Sequence, residues 1–235
     1  MNNTIKIETD NGELSAYFVK PNNGNGAVVV CLQEIFGVNV WMKNIADELA
    51  DHGYIAIVPD LFWRIEENVE INGESDEDFA KAFELYGKFD AVKSMIDINN
   101  TIKYARNLED NLKDKVGTMG FCLGGYLAYM SSIKTESDAN ISYYGVGIEE
   151  NLSQKNNIKK PLIMHMATED QFVSKETQQI IHSELDDHPL IKLYDYKEDH
   201  AFARKGGDSY KEESAKIAQA RSLSFLEHNL LKDIK

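Results

Sequence analysis

Apolar residues along this chain fall in short blocks whose spacing alternates between strand-like runs and a helical period. Leu14-Ser-Ala-Tyr-Phe-Val is rich in strand formers and closes at the turn cluster Pro21-Asn-Asn-Gly-Asn-Gly, which predicts an N-terminal hairpin. Ala27-Val-Val-Val-Cys-Leu is a continuous apolar run, suited to a strand buried on both faces of a parallel sheet. From Val40 to Asp51, Trp41, Ile45 and Leu49 recur at helical spacing; Gly53 then stops the helix before the strand Tyr54-Ile-Ala-Ile-Val.

A polar stretch from Arg64 to Ser75 follows, and the whole segment from Arg64 to Asp90 comes after the strand ending at Asp60, which places it near a cleft. Val92, Met95, Ile98, Ile102 and Ala105 mark a long helix leading into the strand Val116-Gly-Thr-Met-Gly-Phe. Further strands are predicted at Ala139 to Tyr144, Pro161 to Ala167 and Leu190 to Tyr196, with helices at Tyr126 to Ile133, Ser174 to Leu185 and Ser214 to Leu230. Alternating strands and helices imply an α/β fold: a mostly parallel sheet covered by helices on both faces, with its chemistry at the carboxyl ends of the strands.

With 235 residues, 43% of them hydrophobic, the chain suits one domain spanning 1–235, and no repeat or low-complexity linker divides it. The net charge of −14 opposes nucleic-acid phosphates and anionic membrane surfaces alike. No apolar run approaches membrane-spanning length, and the start Met1-Asn-Asn-Thr-Ile-Lys-Ile-Glu lacks a secretory pattern, so the expectation is a cytoplasmic protein, taken as a monomer. Two cysteines are too few for a disulfide framework, and the spacings of common zinc sites are missing, so neither metal nor cofactor is expected.

The sharpest chemical signal is Gly120-Phe-Cys-Leu-Gly-Gly125, a G-x-C-x-G form of the nucleophile elbow between a predicted strand and a predicted helix. Glycines suit the flanking positions because side chains there would collide in so tight a turn. Cys122 would sit at a helix N-terminus, where the helix dipole favours a thiolate and the Leu123 amide points toward a developing oxyanion. Cys31, mid-strand, reads as core.

An elbow thiol needs a base, then an acid to orient that base, in the chain order nucleophile, acid, histidine. Of the six histidines, only His200 lies downstream of Cys122 in a loop following a predicted strand. Asp170, in Ala167-Thr-Glu-Asp-Gln, stands at a strand's carboxyl end, with Glu169 and Asp199 as rivals.

These residues together resemble the dienelactone hydrolase family. The matching blocks are Gln33-Glu-Ile-Phe-Gly-Val-Asn39, Pro59-Asp-Leu-Phe, Gly120 to Gly125, Tyr143-Tyr-Gly-Val-Gly147, the segment around Asp170, and His200-Ala-Phe-Ala-Arg204. The resemblance implies an α/β-hydrolase with an eight-stranded sheet and no cofactor. Its substrate would be a small-molecule ester or lactone, cleaved by Cys122, His200 and Asp170. It further implies that Glu34 contacts the resting thiol, that the Ile35 amide joins that of Leu123 at the oxyanion, and that Arg204 holds a substrate carboxylate. The family's second arginine falls near Phe79, where Lys81 and Arg64 are the nearest cations and stand as its candidates. A general small-acyl carboxylesterase or thioesterase is the neighbouring reading, and a non-catalytic binding protein on the same fold the more distant one.

Overall fold

Val28, Val30 and Leu32 pack into one hydrophobic cluster while Ala27, Val29 and Cys31 pack into another on the opposite side of the same strand. A strand buried on both faces must lie inside a sheet that carries helices above and below it. The computed structural model, which describes residues 3–232, has this arrangement. Eight strands, β1 (Thr4–Thr9), β2 (Gly12–Val19), β3 (Gly26–Leu32), β4 (Ile55–Pro59), β5 (Asn111–Phe121), β6 (Ala139–Tyr143), β7 (Leu162–Ala167) and β8 (Ile191–Tyr196), form one sheet in the order β1-β2-β4-β3-β5-β6-β7-β8. The β1–β2 hairpin and the β2–β4 pair are antiparallel; every other pairing is parallel.

Helices α1 (Val40–Asp51) and α6 (Glu212–Leu226) cover one face through Met42, Ala46, Ala218 and Leu226. The other face is covered by α3 (Ala91–Arg106) and α4 (Leu123–Lys134), through Ile98, Ile102, Leu127 and Ala128, and by α5 (Lys175–Leu185), through Ile181 and Leu185. Among the described residues no helix is long and apolar enough to cross a membrane.

Most elements follow the hydrophobic pattern, and α1 has the expected bounds. Two were not foreseen: α2 (Asp76–Lys88) and a 3-10 helix at Ile148–Asn157. In α2 only Ala82 and Leu85 are buried, so its stripe of Phe79, Ala82, Phe83 and Tyr86 at i, i+3, i+4 and i+7 does not mark a core helix. Its start was nonetheless written in the sequence: Ser75 accepts the Asp78 N–H at 3.1 Å, and Asp76, Glu77 and Asp78 fill the first turn, where the helix dipole favours negative charge. Val92, expected on the inner face of α3, is exposed, while Ile98, Ile102 and Ala105 are buried as expected.

On the α1/α6 side, aromatic rings from four successive strands pair in register. Phe121 is opposite Tyr143, Tyr143 opposite His165, and His165 opposite Tyr194, with ring centroids 4.6, 4.3 and 5.7 Å apart. Trp41 closes one end on Phe121, and the Arg221 guanidinium lies 4.2 Å over Tyr194 at the other. Cross-strand ring pairs of this kind stabilise register, here at the carboxyl ends of β5 to β7. The imidazole within it is fully satisfied: His165 Nδ1 pairs with Tyr196 Oη at 2.8 Å and Nε2 with Ser222 Oγ at 2.9 Å.

Burial, reinforced by the charge of Arg221, pushes the His165 pKa down from 6.5 to about 3, so the ring is neutral in the fold. Between these values the unfolded chain binds the extra proton, and stability falls as pH falls. Each unit below 6.5 costs about 1.4 kcal/mol. The stability advantage of wild type over His165→Gln, measured by urea unfolding, is therefore expected to shrink by about 2 kcal/mol between pH 7 and pH 5; an unchanged difference would remove His165 from the protein's acid sensitivity.

Candidate active site

Strand β5 ends at Phe121 and α4 begins at Leu123, leaving Cys122 alone to turn the chain. It does so at φ 55° and ψ −115°, in the left-handed half of backbone space, which costs a side-chain-bearing residue about 1–3 kcal/mol. Close packing holds it there. A Cβ on Gly120 would collide with the Gly124 carbonyl, and one on Gly124 with the carbonyls of Leu32 and Gln33. The Cys122 N–H donates to the Tyr143 carbonyl at 3.0 Å, and its carbonyl accepts the Tyr126 N–H at 3.1 Å. Leu123 is the first helical residue, so its N–H has no acceptor within the helix and the positive end of the α4 dipole lies beside the sulfur.

His200 and Asp170 come from loops after β8 and β7, two adjacent parallel strands that bring distant residues to one edge. His200 Nδ1 meets Asp170 Oδ2 at 2.7 Å, and Asp170 Oδ1 accepts the Phe172 N–H at 2.8 Å, so both carboxylate oxygens are engaged. The rivals are occupied elsewhere: Asp199 accepts the backbone N–H of His200 at 2.7 Å, and Glu169 pairs with Lys175. Tyr144 and Phe172 pack edge-on against the imidazole, at 5.1 and 4.8 Å between centroids.

Burial alone would lower the His200 pKa; the hydrogen bonds of Asp170 and Cys122, together with their charges, outweigh it and raise the pKa from 6.5 to about 10. With Nδ1 held by Asp170, Nε2 is the ring nitrogen left to face the sulfur.

Cys122, Leu123, Glu34, Ile35, His200 and Arg204 all line one pocket of ≈ 440 Å³. Glu34 is buried, and burial raises its pKa against the opposing charges of Arg204 and His200. Its Oε2 lies 3.5 Å from Arg204 Nε and has no hydrogen-bond partner. No hydrogen bond between Glu34 and the Cys122 thiol is among those of the described residues, and Glu34 Oε2 faces Arg204. The Arg204 guanidinium lies 4.4 Å over the Phe36 ring and donates to the Asn72 carbonyl.

Two expected substrate cations are elsewhere. Arg64 binds Asp97 through both Nε and Nη2, at 2.9 and 2.7 Å, and stacks on Trp63. Asp97 is completely buried, and a buried carboxylate left without a cation is costly, so Arg64 is committed to the fold. Lys81 pairs with Glu66 on the surface at 2.5 Å. Neither lines the pocket.

The sequence profile of the dienelactone hydrolase family matches residues 14–230. The chain belongs to the dienelactone hydrolase family. A carboxymethylenebutenolidase of Pseudomonas putida is 34% identical over 94% of this chain and 94% of its own length. An Azospirillum brasilense protein provisionally given the same name is 37% identical, covering 94% and 96%. In three dimensions, a Klebsiella pneumoniae protein classed as a dienelactone hydrolase superimposes with a TM-score of 0.84 at 24% identity, covering 94% of this chain and 96% of that one. The protein is thus a hydrolase with the α/β-hydrolase fold of the dienelactone hydrolases.

The residues missed in the sequence are aromatic: Tyr144 and Phe172 against the imidazole, and Phe79, Phe83 and Tyr86 of α2 along the pocket wall. Tyr144 was visible within the Tyr143-Tyr-Gly-Val-Gly block, and its φ of 36° gives that block a backbone reason. The His200 imidazole is expected to titrate at about 10 when followed by NMR, and Asp170→Asn should lower that midpoint markedly, because burial then acts with less opposition. A midpoint unmoved by the substitution would remove Asp170 as the group that holds the proton.

Proposed function

We propose that this protein cleaves a carboxylic ester or lactone through a thioester on Cys122, with His200 as proton shuttle and Asp170 as the group that orients it. The observation that carries the reading is the strained elbow, which presents Cys122 beside an imidazole whose far nitrogen is held by a buried carboxylate.

The thiolate attacks the carbonyl carbon, forming the carbon–sulfur bond and moving the π pair onto oxygen. That oxyanion is received by the N–H groups of Leu123 and Ile35, which lie at the start of α4 and just beyond β3. Collapse restores the carbonyl and breaks the bond to the leaving oxygen, which takes its proton from His200. Water then attacks the thioester while His200 Nε2 accepts its proton, and the carbon–sulfur bond breaks to release a carboxylic acid and free Cys122. A lactone gives a single open-chain product because its leaving group stays attached.

Glu34 contributes charge control: a carboxylate drawn into the pocket opposes build-up of a second negative charge there, and Arg204 tempers it. A general esterase differs only in the acyl and alcohol groups admitted.

Hydrolysis of p-nitrophenyl acetate and of a simple lactone by wild type should be abolished in Cys122→Ala and reduced by about 100-fold or more in His200→Gln. Wild type quenched during turnover should carry an acetyl group on Cys122 by peptide mass spectrometry. Undiminished turnover in Cys122→Ala would overturn the reading.

A further inference from the structure

Resting on the ester-hydrolase reading above, we infer that this pocket selects an uncharged ester carrying an aromatic or bulky apolar group, gripped by Phe79, Phe83, Tyr86 and Phe172, over a carboxylated one. Two independent features of the pocket lead to this, one apolar and one electrostatic.

The apolar feature is a wall of unburied rings. Phe79, Phe83, Tyr86 and Phe172 are 41, 49, 43 and 51% exposed, and all four surround the pocket that holds Cys122. Large apolar side chains scattered singly over a surface need no explanation, whereas several converging on one cavity mark a binding surface. Phe79, Phe83 and Tyr86 recur at i, i+4 and i+7, so one stripe of α2 is turned to the pocket while Ala82 and Leu85, on the adjoining flank, anchor the helix in the core. The rings continue inward. Phe79 packs edge-on against Phe36 at 5.5 Å, Phe172 packs against His200 at 4.8 Å, and the charge of Cys122 reaches the Tyr86 hydroxyl, raising its pKa after burial has done so.

The electrostatic feature is that the one cation lining the pocket among the described residues, Arg204, already faces a carboxylate. Among the described residues, the ionisable side chains lining the pocket besides Cys122, Tyr86 and His200 are Glu34, Glu74, Asp208 and Arg204. Arg204 faces Glu34, stacks on Phe36 and donates to the Asn72 carbonyl, and its side chain is only 12% exposed. Gly73 closes over it: a Cβ there would press on the Arg204 guanidinium and the Phe36 ring, and its φ of +72° belongs to glycine. An anionic group entering the pocket would have to win Arg204 from these partners and sit beside the carboxylates; a neutral ring needs only the apolar wall.

The test compares ethyl acetate, benzyl acetate and 4-carboxybenzyl acetate, all with alcohol leaving groups, by pH-stat. Benzyl acetate should exceed each of the others by about tenfold or more in kcat/KM, the discrimination a single apolar pocket affords. Phe79→Ser/Phe83→Ser, altered at half-exposed positions, should cut the benzyl-to-ethyl ratio by about tenfold, mainly through KM. Equal or better turnover of the carboxylated ester, or a ratio unchanged in the double variant, would overturn the inference while leaving the thioester mechanism standing. If wild type turned over none of the three, the mechanism would fall. The selectivity would then be read from calorimetric binding to Cys122→Ala, where benzyl acetate must still bind more tightly than the other two for the inference to survive.

Discussion

The site depends on how closely three stretches of backbone approach one another around Gly120 and Gly124. With no side chain on Gly124, the first turn of α4 sits directly on the carbonyls that end β3, and with none on Gly120 the elbow folds back on itself. This contact fixes two things together. It forces Cys122 into left-handed backbone geometry, and it brings the start of α4 alongside Glu34 and Ile35, which follow β3 in the chain. A methyl group at either glycine would push the helix from the sheet, and sulfur, amide and carboxylate would lose their common pocket. The aromatic ladder beneath performs the complementary task, holding β5 to β8 in the register that sets Cys122, Asp170 and His200 at one edge.

Electrostatics then sort the buried groups by partner. His165 and His200 are both buried, yet one is driven neutral and the other holds its proton to about 10. The difference lies in what faces each ring: neutral hydroxyls of Tyr196 and Ser222 with the cation of Arg221 beyond, against the carboxylate of Asp170 and the thiol of Cys122. Desolvation acts on both, and only a close opposite charge overcomes it. Glu34 lies between these extremes, buried like Asp170 but with a cation 3.5 Å away and no hydrogen bond on Oε2.

What could be read from the sequence was local chemistry and strong periodicity. The elbow is written in consecutive residues, and fully buried strands such as β3 announce themselves by an unbroken apolar run. His200 followed from elimination and Asp170 from chain order, because parallel topology puts successive strand ends on one edge. The failures were long-range. Nothing around Arg64 shows that Asp97, 33 positions later, would be buried and require a cation. Helix α2 does carry a helical period, with Phe79, Ala82, Phe83 and Tyr86 at i, i+3, i+4 and i+7, but its rings face a cavity instead of the core and it lies in a stretch rich in charge, where a search for core helices passes over it.

That last failure bears on how selectivity is distributed over the chain. The groups proposed to make and break bonds sit on β5, β7, β8 and the start of α4, where neighbouring strands and helices constrain each of them. The wall proposed to meet the variable part of a substrate sits on α2 and the Phe172 loop, which contribute little to the core. Replacing Phe79 or Phe83 leaves β5 and its elbow untouched, whereas replacing Gly124 does not. The proposed centre and its proposed wall are thus separable, so the exposed stripe of α2 can be exchanged without disturbing the elbow. Arg204 joins the two regions: it faces Glu34 in the pocket that holds Cys122 and donates to the Asn72 carbonyl on the segment leading into α2, so a change in that segment reaches the charge balance around Cys122.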